Sequence, residues 1–112
     1  MKLTGYYEII VDGLQAKQKF YGEDKVTPEI VGAHCKKAEE EYKKFCGGGT
    51  LNGVPISYKF NIKADKGSSE SEIKRLQNIV RNYGGQYSSL YGFETNDPEL
   101  FFRVYNSVKK VN

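Results

Sequence analysis

From Val54 to Ala64 the chain alternates with a period of two: Val54, Ile56, Tyr58, Phe60, Ile62 and Ala64 fall on one side, and Ser57, Lys59, Asn61 and Lys63 on the other. Successive side chains of a strand point to opposite faces, so this segment requires a sheet that is buried on one face and wet on the other. The rest of the chain has to supply the cover for one face only.

Partner strands are written upstream. Tyr6-Tyr7-Glu8-Ile9-Ile10-Val11 is rich in β-branched and aromatic residues and runs into Asp12-Gly13, a strong two-residue hairpin signal. With Asp12 and Gly13 as the turn, a first strand from about Thr4 to Val11 sets Val11 opposite Leu14, Ile9 opposite Ala16, Tyr7 opposite Gln18 and Gly5 opposite Phe20 on the core side. The other side then pairs Glu8 with Lys17, Tyr6 with Lys19 and Thr4 with Tyr21, giving an ion pair and a cation–π contact between Tyr6 and Lys19.

Three helices follow from their start and stop signals. Thr27-Pro28-Glu29 offers an N-cap, a proline where a missing N–H costs nothing, and an acid at the positive end of the dipole. That helix runs to about Cys46, with Val31, Cys35, Ala38, Tyr42 and Phe45 as its apolar stripe and Gly47-Gly48-Gly49 behind it. Ser69 and Glu72 form a capping box ahead of the stripe Ile73, Leu76, Ile79, Val80 and Tyr83, closed by Gly84-Gly85. A fourth strand fits Gln86 to Glu94, and Asn96-Asp97-Pro98-Glu99 opens a last helix lined by Leu100, Phe101, Val104, Tyr105 and Val108. The order is ββαβαβα, an α+β fold with a four-stranded, mostly antiparallel sheet and three helices on one face, in the ferredoxin-like or α/β-plait neighbourhood.

Composition bounds the function. A chain of 112 residues with 38% hydrophobic content, nine tyrosines and six phenylalanines can fill one core, which predicts a single domain spanning 1–112. Lys and Arg number 17 against 14 acids, a net charge of +3 that is far from a polybasic composition. No apolar run approaches the roughly 18 residues of a membrane span, and Met1-Lys2-Leu3-Thr4-Gly5 lacks the apolar stretch of a signal peptide, so the expected setting is cytoplasmic, in a cell or an infected host. Small size with many Lys, Asn and Tyr residues would suit an accessory protein of a phage or mobile element, such as an inhibitor of a host factor.

No catalytic or metal-binding constellation is legible. Cys35 and Cys46 would lie about 16 Å apart on one helix at roughly 1.5 Å per residue, and with His34 they are too few for zinc, which wants about four ligands. His34 and Cys35 are adjacent on a helix and diverge by about 100°, so they cannot form a nucleophile–base pair. The glycines at 47 to 49 follow a helix instead of preceding one and lack the Lys-Ser/Thr of a phosphate loop. Neither a metal nor a cofactor is implied, and an enzyme remains open only through residues brought together in space or a small-ligand pocket near Gly47 to Asn52.

The wet face of the sheet is the candidate site. It gathers Tyr6, Lys17, Lys19, Tyr21, Lys59, Asn61 and Lys63, with Glu8 as the acid among them. Lysines beside aromatic rings suit single-stranded nucleic acid, while lysines are also the ordinary filling of an exposed sheet. A protein partner, engaged through this face or an edge strand, is the leading expectation; single-stranded RNA or DNA on the same face is the alternative, and pairing of two copies through an edge strand is a third use. Tyr91-Gly92-Phe93, after a helix ending in Tyr83-Gly84-Gly85, resembles the second half of an RNA recognition motif. Ser89 stands where that family has a basic residue and Glu94 where it has an aliphatic one, so the chain is not assigned to it. The face shared by Tyr87, Tyr91 and Phe93 is expected to pack against helices instead.

Overall fold

Asp12 and Gly13 both take positive φ, 49° and 81°, the backbone hand that lets two strands twist together across a two-residue turn. They join β1 (Leu3–Val11) to β2 (Leu14–Gly22) in the register expected from the sequence, from Val11 opposite Leu14 to Leu3 opposite Gly22. The structure, a computed structural model, describes residues 2–22, 26–46 and 54–110, the side chains of 21, 22 and 110 excepted.

The remaining elements are α1 (Pro28–Phe45), β3 (Ile56–Ala64), α2 (Glu70–Asn82), β4 (Phe93–Thr95) and α3 (Pro98–Lys110), so the order is ββαβαβα. The caps are those the sequence announces. Thr27 Oγ1 accepts from the Ile30 N–H at 3.2 Å, Ser69 and Glu72 complete a capping box, and Asp97 Oδ1 accepts from the Glu99 N–H at 3.0 Å.

The four strands form one sheet in the order β2-β1-β3-β4, each neighbouring pair antiparallel. Because β1 is antiparallel to both β2 and β3, those two strands run the same way with β1 between them, and α1 connects them as a split β–α–β unit. The odd-numbered side chains of β1 and their partners Phe20, Phe60 and Ile62 share one face, and all three helices pack on it. Phe60 is the centre of that layer. Its ring stacks on Phe101 of α3 with centroids 4.5 Å apart and also meets Tyr7, Tyr58 and Phe102.

Gly5 makes this approach of layers feasible. A Cβ there would collide with the Asn61 carbonyl oxygen and lie 2.7 Å from the Phe20 ring, which occupies the space above Gly5 and meets Tyr105 edge-on at 6.0 Å.

Three expectations are corrected. The fourth strand is shorter than Gln86 to Glu94, because Ser88 and Gly92 pair with each other across a tight turn in which Gly92 has φ of 74°. Tyr91 consequently leaves the face it would have shared with Tyr87 and Phe93 and is 65% exposed, while Phe93 is buried. Phe45 is 78% exposed instead of closing the α1 stripe, since Tyr42, one turn earlier, already reaches the hairpin tip by donating to Asp12 Oδ2 at 2.6 Å. Phe45 instead borders an open hollow with Val11, Leu14 and Tyr42.

Gly5→Ala should destabilise the fold by about 2 kcal/mol or more, at the upper part of the range for overpacking, read as a lower urea midpoint at unchanged slope. A neutral result would mean that the Phe20 ring and β3 can give way.

Candidate interaction face

The face of the sheet opposite the helices is formed by even-numbered residues of β1 and odd-numbered residues of β2 and β3, and none of the described helices packs on it. The hairpin register brings Tyr6, Lys17 and Lys19 together there, and the β1–β3 register adds Lys59, Asn61 and Lys63. Tyr21 is opposite Thr4 in the pairing, but its side chain lies outside the described residues.

The charges on this face are tied to one another. Lys17 Nζ is 3.6 Å from Glu8 Oε1 and 4.2 Å from the centre of the Tyr6 ring. The cation–π contact therefore comes from Lys17, which Glu8 holds within reach of a ring two residues away, and not from the directly opposed Lys19. The Tyr6 hydroxyl donates to Glu94 Oε1 at 3.5 Å. Lys59, opposite Glu8, has its pKa raised by the Tyr6 oxygen first, then by Glu94 and, more weakly, by Glu8. Glu94 enters because β4 sets it opposite Asn61. The register of that strand is not written in the sequence, so this second carboxylate among the lysines emerges only from the fold.

Asn61 and Lys63 do structural work. Asn61 Nδ2 donates to the Tyr91 carbonyl and Lys63 Nζ to the Leu90 carbonyl, each at 2.7 Å. Ser88 Oγ accepts from the N–H groups of Leu90 and Tyr91 at 3.2 and 3.3 Å, and Ser88 and Gly92 exchange backbone hydrogen bonds of 3.0 and 2.8 Å. Six hydrogen bonds thus fix a turn whose two apex side chains, Leu90 and Tyr91, are each 65% exposed. The signal available in the sequence was the positive-φ requirement at Gly92 combined with a serine four residues earlier.

On the helical side, His34 and Cys35 take different partners, as expected. His34 sits edge-on to Tyr7 at 5.4 Å, and its buried Nδ1 has no hydrogen bond. Cys35 Sγ contacts the Tyr58 hydroxyl at 3.5 Å and Glu39 Oε1 at 3.8 Å. That thiol, and after it burial, pushes the Tyr58 hydroxyl up to about 12. Burial likewise raises the pKa of Tyr7. Gly85 serves packing: a Cβ would stand 2.6 Å from the Phe93 ring. The glycines at 47 to 49, and the ligand site considered near Gly47 to Asn52, lie outside the described residues. Among the described residues no group of three or more His, Cys, Asp or Glu side chains could hold a metal ion, and no helix is long and apolar enough to cross a membrane.

Compared with known proteins, the chain matches no family model, no curated protein and no solved structure.

Asn61→Ala should cost about 1 kcal/mol, the worth of one hydrogen bond, and speed amide exchange at residues 88–92 more than in the β1–β2 hairpin. The second expectation concerns alkaline pH. Tyr58 keeps its proton to about 12 in the folded chain but only to about 10 when unfolded. The unfolded state deprotonates first, so stability falls as pH rises through that window. Tyr58→Phe should flatten the fall relative to the unmodified protein in urea melts at stepped pH.

Proposed function

We propose that this chain is a non-enzymatic protein-interaction domain that engages a protein partner through its outer sheet face and the adjoining Leu90–Tyr91 turn. The observation that carries this reading is the turn itself: two large side chains held in water by six hydrogen bonds, beside a sheet face on which none of the described helices packs. Exposed tyrosine and leucine on backbone that is already ordered lose little further entropy when a partner closes on them, which is how interface anchors gain affinity. The surrounding Tyr6, Lys17 and Lys59 provide a polar rim.

Nucleic acid is the weaker alternative on the same surface. Four lysines there face two carboxylates, Lys17 is already paired with Glu8, and Lys63 is committed to the Leu90 carbonyl. Fewer cations are left to follow a phosphate backbone than the sequence suggested. Both cysteines are free thiols, which fits a reducing, cytoplasmic setting.

Capture of a partner from nuclease-treated native lysate should be lost by at least about tenfold in Leu90→Ser/Tyr91→Ser, as expected for anchor residues. Because both side chains are exposed, the melting temperature should stay within the small range typical of surface changes. Capture that survives the double substitution, or that consists of nucleic acid released steeply by salt, would overturn the proposal.

A further inference from the structure

A second surface lies at the β2 edge of the sheet. β2 has nine residues, about 30 Å of strand at roughly 3.3 Å per residue, and it pairs only with β1, so the backbone groups along its far side meet no strand among the described residues. The opposite edge, β4, has only three residues. Beside β2, on the helical face, runs an open groove of about 550 Å³. Tyr7 and Phe20 floor it, and Ile30, His34 and Lys37, spaced four and three residues apart on one side of α1, form its wall. Ile30 is an apolar side chain left 47% exposed there, although the rest of the helix's buried residues face the sheet.

We infer that the β2 edge and this groove receive an extended segment of another protein, added as a fifth strand, in which acidic side chains alternate with apolar ones. The alternation follows from the pleat. An added strand places every second side chain on the helical face, over the groove and against the half-exposed Ile30, where apolar groups are matched. The side chains between them fall on the outer face beside Lys19 and beside Lys17, whose ammonium an added carboxylate would share with Glu8, and opposite charges at such positions stabilise a pair of strands. Lys19 makes no ion pair among the described residues, so its ammonium group is available to a carboxylate on the outer face.

A second copy of this chain fits poorly. Antiparallel pairing of two β2 edges about a two-fold axis brings the Lys17 and Lys19 side chains of both copies onto the same face at neighbouring positions, and like charges there repel. The edge resists its own kind and favours acids.

The test uses the intact chain and a blocked nine-residue peptide of alternating valine and glutamate, followed by calorimetry and by amide hydrogen exchange. The expected result is saturable binding below about 1 mM, a weak affinity for an unoptimised peptide, with new protection at alternate amides of β2. Lys17→Glu/Lys19→Glu should weaken it at least tenfold, and a valine–lysine peptide should bind that variant better than the original chain. Ile30→Asp, a first-turn position where an acid suits the helix, should weaken binding severalfold with an unchanged melting temperature. The inference is overturned by absence of binding at 1 mM, by binding that ignores the charge reversal, by protection outside β2, or by a concentration-dependent dimer that protects β2 without peptide. The outer-face proposal stands or falls separately, since its readout is Leu90 and Tyr91.

Discussion

The stack of Phe60 on Phe101 fastens the last helix to the centre of the sheet. Phe60 belongs to β3, which reads the register of β1, and Phe101 belongs to α3, which packs against α2 and β4. The hairpin is joined to the rest by the β1–β3 ladder and by Phe20, which meets Phe101 and Tyr105 of α3 at 6.4 and 6.0 Å. Rings at 4.5 Å gain dispersion and burial together, and the absence of a side chain at Gly5 lets Phe20 lie close enough to extend the aromatic layer to Tyr105.

Committing all three helices to one face leaves the other to be stabilised by its own side chains. Glu8 is 9% exposed and Asn61 7% exposed on that face, levels at which a polar group needs a partner. Glu8 has Lys17, and Asn61 has the Tyr91 carbonyl. The chemistry that looks from sequence like a charged surface waiting for a ligand is partly a set of internal pairings. What they leave over is Lys19 and the apex of the 88–92 turn.

Much of the fold was legible because its signals are local. The Asp12-Gly13 turn fixes a period-two register over nine residue pairs, and Thr27-Pro28, Ser69/Glu72 and Asp97-Pro98 each mark a helix start. The candidate face was legible only where it rests on that register. Glu94 depends on which strand neighbours β3, and Leu90 and Tyr91 depend on a turn closed by hydrogen bonds to Asn61 and Lys63, some thirty residues away in sequence. Aromatic residues flanking Gly92 read equally well as strand or turn until those long-range donors are in place. Phe45 misled for a related reason: helical periodicity gives a stripe but not where the sheet beneath it stops.

The order of the strands also matters before the chain is complete. β1 lies inside the sheet, yet one of its two neighbours, β3, is written far downstream, with Val11 meeting Ile56. During synthesis the hairpin can close as soon as it emerges, but the other side of Tyr6-Tyr7-Glu8-Ile9-Ile10-Val11 waits on the order of seconds for its partner at ordinary elongation rates. A nascent chain of this topology carries an apolar, β-prone strand with one side unsatisfied throughout that interval. Glu8 interrupts the apolar sequence of that run with a charge, the type of residue that disfavours pairing between exposed like strands.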